Sequence, residues 1–169
     1  MRALKFLRPG RVAPFSKVTW PAPGEWLDAD GRPDLCRAGV HAVLPDALAP
    51  WIAEELWRVE LDGAEALAPG ILVASRGRLV SPVEEWSDET ARAFARACAA
   101  HVQEGATGRA AEYAADARAS AEEAGADFTA TTVGYMAAHA AEAMRPGGFT
   151  AEREWQSRWL AERLGVSTI

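Results

Sequence analysis

Cysteine is nearly missing from this 169-residue chain, which holds only Cys36 and Cys98. They lie far apart with no CxxC and no Cys/His ligand spacing, so neither a disulfide framework nor a structural zinc site is expected. The short signatures of common chemistries are missing as well: there is no P-loop, GxGxxG, GxSxG, HExxH or EF-hand loop. Nucleotide hydrolysis by a P-loop, Rossmann-type dinucleotide binding and zincin proteolysis all lose weight, and no tightly bound cofactor is expected. No apolar run is long enough to span a bilayer, because Arg, Glu or Asp interrupts the alanine-rich segments. The opening MRALKFLRPG is too short in apolar residues for a secretory leader, so a cytoplasmic location is the default expectation. An excess of positive charge is also lacking. A formal net charge of −6 counts against broad binding to nucleic acid or anionic membrane, which needs a basic face. The exception is local: Arg2, Lys5, Arg8, Arg11 and Lys17 all precede Glu25, the first acidic residue, and form a stretch able to meet a phosphate or carboxylate.

What the chain does contain is ordinary globular material, 49% apolar and 25% charged, at a length that suits one domain with one sizeable core. Two halves are expected. Residues 1–86 read as strand-rich. Ala3–Leu7 is a short apolar run closed by Pro9-Gly10, Gly39–Leu44 suits a buried strand, and Leu56–Leu61 alternates before Asp62-Gly63. Ile71–Ala74 and Arg78–Val83 read as an interrupted strand or a hairpin around Arg76-Gly77. Between these runs, Val12–Arg32 reads as a loop whose Phe15, Trp20 and Trp26 fold back on the body, and Asp46 is placed to cap a short helix through Glu54.

Residues 87–169 read as helical. Ser87-Asp88 is an N-cap, followed by Ala91, Phe94, Ala95, Cys98 and Val102 at helical spacing. Three further helices are expected over Gly108–Glu123, over Phe128–Met144, and from Thr150 to Gly165, the last docking through Trp155, Trp159 and Leu160. The fold class expected is therefore α+β, a small antiparallel or mixed sheet packed against an alanine-rich helical half.

Candidate chemistry concentrates before residue 86. His41 leaves a glycine turn beside a strand, and Glu60 sits on an expected neighbouring strand. A carboxylate bonded to one ring nitrogen fixes the tautomer and raises the basicity of the other, so the pair suits general acid/base work. Arg37, Arg76 and Arg78 are candidates to hold an anionic group, and Trp51 and Trp57, with Trp20, Trp26 and Trp86, could wall a pocket. Cys36, near Arg37 and His41, is a weaker nucleophile candidate, whereas Cys98 on an apolar helix face reads as an inert buried thiol. Tyr135, His139 and Glu142 share one helix face, and His101 and Glu104 have the same i, i+3 spacing as His139 and Glu142. No ExxH pair supplies further carboxylates, so these read as helix contacts and no metal site is expected.

The box Cys36-x-x-Gly39-Val40-His41, the following Leu48-x-x-Trp51 and the run Val59-Glu60-Leu61-Asp62-Gly63 resemble an uncharacterised group of phage and actinobacterial proteins. The resemblance covers residues 1–86. It implies the shape of that half and brings no activity with it. From the residues themselves the leading expectation is a small cofactor-independent enzyme, with His41 as acid/base and Glu60 as its partner, acting on a small organic molecule. The alternative is a noncatalytic module in which the alanine-rich helices form a dimer or partner surface.

Overall fold

A computed structural model of the protein describes residues 1–29, 39–126 and 128–167. It is α+β, as expected, with an antiparallel seven-stranded sheet followed by four helices. The strands are β1 (Arg2–Leu7), β2 (Trp26–Asp28), β3 (Val40–Val43), β4 (Glu55–Asp62), β5 (Glu65–Ala68), β6 (Ile71–Ala74) and β7 (Arg76–Pro82). Their order in the sheet is β2-β7-β4-β1-β3-β6-β5. The helices are α1 (Asp88–Gln103), α2 (Arg109–Ala121), α3 (Phe128–Met144) and α4 (Gly148–Arg163). Among the described residues no helix is long and apolar enough to cross a membrane.

The sheet curls because one long hairpin serves both of its ends. Chain from β4 through β5 returns as β6 and β7, turning at Gly70, whose φ of +70° suits glycine. Halfway along, Gly63 also adopts a positive φ, and Ser75 Oγ donates to the Asp62 carbonyl at 3.0 Å. Beyond that bend β6 pairs with β3, while before it β4 pairs with β1. Gly77 shows how tightly the roll closes: a Cβ there would lie 2.8 Å from Val40 Cγ1, on a strand that is not its sheet neighbour. The turn therefore falls at Gly70. The alternative of a hairpin around Arg76-Gly77 is corrected, and the interrupted-strand reading of Ile71–Val83 stands.

Period-two alternation sends the two faces of the strands to different cores. Ala3, Leu7, Val40, Val59, Leu61 and Leu79 fill the inside of the roll together with Trp20. Leu4, Phe6, Val43, Leu56 and Val83 face the helices and join Phe94, Cys98, Val102, Val133 and Leu160 in the larger core. Alanine dominates the inner faces of α2 and α3, and these small side chains let the helices approach closely. Ser87 Oγ accepts from Thr90 N at 3.3 Å and starts α1.

Several local expectations need correction. The helix expected from Asp46 is replaced by two 3-10 turns, Pro45–Ala47 and Ala49–Trp51, because Pro50 falls inside it, where it removes a backbone donor and its ring clashes with the preceding turn. Those turns are pinned from the helical half: Ala49 N donates to Ser157 Oγ at 3.1 Å, and Thr131 Oγ1 donates to the Ile52 carbonyl at 3.2 Å. Trp26 lies in strand β2 rather than in a loop. Of the three loop aromatics Trp20 alone is fully buried, whereas Phe15 stays exposed with its ring edge-on to Trp51. Helix α4 begins at Gly148, two residues before Thr150.

Candidate active site

Helix α4 buries a polar stripe. Glu152, Arg153, Gln156 and Ser157 are all buried, continuous with Leu160 and Ala161, while Trp155 and Trp159 lie partly buried against the larger core. Such groups are tolerated away from water only when bonded, and here they bond one another. Glu152 Oε2 meets His101 Nδ1 at 2.6 Å across the α1/α4 contact. Gln156 Nε2 donates to Glu152 Oε1 at 2.9 Å and to the Gly134 carbonyl at 3.0 Å. Arg153 Nη1 donates to Gln156 Oε1 at 2.6 Å, and its guanidinium lies 4.6 Å from the centre of the Tyr135 ring. Gly134 makes room for this cluster: a Cβ there would come within 2.8 Å of Arg153 Nη1 and 3.1 Å of Gln156 Oε1. That close approach explains a glycine inside a helix, where it otherwise costs about 1 kcal/mol relative to alanine.

The pairing orients a histidine. With the carboxylate as acceptor, Nδ1 carries a proton, and in the neutral ring Nε2 then keeps its lone pair. Nε2 makes no hydrogen bond among the described residues. The ring is fixed a second time by Trp155, which stacks on it at 3.8 Å between centroids with planes 3° apart. The two partners differ sharply in exposure: the His101 side chain is 43% exposed and the Glu152 side chain 2%. His101 and Glu152 both line a cleft of about 230 Å³, bounded also by Val102, Ala141, Met144 and Arg145.

Two further groups flank the pair. Burial pushes the Cys98 thiol well up, and the Glu152 charge adds to this more than Arg153 relieves it. Cys98 is therefore a protonated, unreactive thiol, as its place on the apolar face of α1 implies. Burial lowers the Arg153 pKa from its usual value, opposed by Tyr135, Cys98 and Glu152. Its Nη2 is buried without a partner among the described residues.

The residues singled out in the first half are spread over several places. His41 lies on β3 opposite Val73, and Glu60 lies on β4 opposite Arg78, with β1 between the two strands. They are not on neighbouring strands, so the expected pairing of the two does not form. The Glu60 carboxylate is held by Arg78 Nε and Nη2 at 2.8 and 2.6 Å, and Asp62 by Arg76 at 2.9 and 2.6 Å. The Arg76 bond holds the Asp62 carboxyl below its usual range. Both guanidiniums also lie against Trp26, 4.6 and 4.8 Å from its ring centre. Arg78 and Glu60 border a second cleft of about 260 Å³ with Pro23, Gly24, Leu79 and Val80.

His41 Nε2 is buried with no partner among the described residues. Burial lowers the His41 pKa, the Lys5 charge lowers it further, and a bond to the Gly39 backbone works the other way. Trp57 Nε1 donates to Glu55 Oε2 at 3.0 Å, and Trp51 packs against the larger core. Neither of these two clefts is lined by a tryptophan; Trp20 and Trp57 pack in the inner core and Trp51 and Trp86 in the larger one. Cys36 and Arg37 lie outside the described residues.

On α3, Tyr135 faces Arg153, His139 contacts Tyr113 and Phe149, and Glu142 accepts from Phe149 N at 3.0 Å. These are helix contacts. Among the described residues no group of three or more His, Cys, Asp or Glu side chains is placed to hold a metal ion. Comparisons with protein-family models, curated proteins and solved structures find no match for the chain.

Proposed function

We propose that the protein is a small enzyme that uses a carboxylate-oriented histidine, His101 backed by Glu152, as acid/base on a small organic substrate in the cleft between α1, α3 and α4. One observation carries this reading. The 2.6 Å bond joins an exposed imidazole to a carboxylate sealed from water, whose other oxygen is already occupied by Gln156. A carboxylate so placed sets the tautomer of His101 and would stabilise the imidazolium that forms when Nε2 takes a proton. The dyad chemistry expected of His41 and Glu60 is thus available at the helical end of the molecule. Arg145 on the cleft wall can hold a charged part of the substrate, and Val102, Ala141 and Met144 exclude water on the other side.

Turnover tests the proposal. Activated esters and small carboxylic and carbonyl acids are offered to the protein, and ester hydrolysis and α-proton exchange in D2O are followed. The expected result is a rate that falls about 10²-fold or more in His101→Gln, in a protein that still folds cooperatively but melts lower, because the variant loses the Trp155 stack and weakens the bond to buried Glu152. Rates no higher than buffer, or equal in wild type and His101→Gln, refute the reading and leave the chain as a noncatalytic binding module.

A further inference from the structure

The lining of the same cleft indicates what it accepts. Three charged or ionisable side chains reach it: Glu152, His101 and Arg145. Glu152 is spent, one oxygen on His101 and the other on Gln156. Arg145 is different. It is exposed at the end of α3 and its guanidinium meets no acceptor among the described residues. The carboxylate that lines the cleft is therefore satisfied, while its cation is not. The remaining wall is Val102, Ala141, Met144, Gly148 and Ala151, whose side chains bring only carbon and sulfur to a ligand. A volume of about 230 Å³ lies below the usual range for drug-sized ligands and suits a chain of about four to six carbons.

We infer that the cleft binds small monocarboxylates carrying a short apolar chain, with the carboxylate on Arg145, the chain against Val102, Ala141 and Met144, and the adjoining carbon presented to His101. This rests on the reading of His101 and Glu152 as the acid/base pair, and it narrows the substrate class of that site. A bidentate guanidinium–carboxylate contact would supply orientation, and the apolar wall would discriminate against inorganic anions, which cannot use it.

Binding is measured without turnover, by NMR titration of the His101 ring protons and the Met144 methyl group. The probes are butyrate, acetate, inorganic phosphate and butylamine. Butyrate is expected to shift both sets of signals saturably, with a Kd of about 1 mM for six heavy atoms. Acetate and phosphate should bind at least severalfold more weakly, and butylamine, with the same chain and the opposite charge, should not saturate. Arg145→Gln should weaken butyrate about tenfold. Butylamine binding as tightly as butyrate, or Arg145→Gln within twofold of wild type, overturns the assignment.

The two proposals fail separately. Loss of turnover in His101→Gln without butyrate binding removes the ligand class alone. Butyrate binding that depends on Arg145, with turnover indifferent to His101→Gln, removes the acid/base pair alone.

Discussion

Lys5 should destabilise the fold at neutral pH, and replacing it by methionine should make the protein more stable. The residue sits on the inward face of β1, between the buried Ala3 and Leu7 and opposite Trp57. Glu55, the acid on the same face of β4, is already bonded to Gly10 N and Trp57 Nε1, so the ammonium has no counter-ion among the described residues. His41 on β3 adds like charge when protonated. Burial lowers the Lys5 pKa from 10.5 to about 8.

The unfolded chain therefore keeps this proton to pH 10.5 while the folded protein releases it near 8. Between those values the unfolded state holds more protons, and stability rises with pH. Below pH 8 the whole penalty is present, at most about 3 kcal/mol at 1.36 kcal/mol per pH unit, less whatever the half-buried amine recovers from water. By pH 9.5 about 2 kcal/mol of it is relieved. Urea unfolding of wild type and Lys5→Met at pH 7 and pH 9.5 reads both quantities. The variant should be more stable by up to about 3 kcal/mol at pH 7, an advantage that shrinks by about 2 kcal/mol at pH 9.5. A variant less stable than wild type at pH 7, or an advantage that does not change with pH, would refute the placement of an unpaired amine inside the roll.

Other consequences are equally direct. Gly134→Ala gains helix propensity but drives a methyl into Arg153 and Gln156, whose ends are buried and bonded and cannot swing away. The net effect should be a loss of about 1–3 kcal/mol, seen as a lowered melting temperature and a shifted His101 resonance, and a stabilised variant would contradict the packing described. Phe94 is fully buried between the helices and touches Trp159. Phe94→Ala should cost about 3–5 kcal/mol in urea unfolding, and a loss below 1 kcal/mol would place that ring elsewhere. Cys98 should resist iodoacetamide at pH 8 in the native protein and react once urea is added, as peptide mapping would report; rapid native labelling would mean the thiol is not buried.

Much of the architecture was legible because its signals are local. The alternation of Leu56–Leu61, the apolar run Val40–Val43 and the Ser87 cap with its heptad-like followers each specify an element from neighbouring residues alone. Strands β2 and β5 were not legible. β2 lies among prolines and glycines, and β5, Glu65–Ala68, shows almost no buried face, so both exist by pairing with partners that sequence periodicity does not reveal.

The proposed pair was hidden for a related reason. His101 and Glu152 are 51 residues apart, and the polar run Glu152, Arg153, Gln156 and Ser157 has the composition of a solvent-facing helix surface. Only their mutual bonding makes burial tolerable, and that is a tertiary fact. The one available signal was Gly134, an unforced glycine inside an alanine-rich helix, which marks a place where something must come close. The expectation for His41 and Glu60 had the chemistry of an oriented histidine in mind but assumed that β3 and β4 are neighbours, a matter of strand order that short motifs do not encode.

The hydrogen bond from Ala49 N to Ser157 Oγ joins residues 108 positions apart, and it bears on how the molecule folds. The 3-10 turns under the sheet and the carboxylate beneath His101 are completed by the same helix, α4. Loop closure over that separation costs more than forming β1–β4 or α1 alone, so this bond is made only when α4 docks, and until then the Ala49 amide bonds to water. The docking of α4 thus couples the two halves: a chain lacking α4 would lose the His101–Glu152 bond and leave the Ala49 amide without its partner in the helical half.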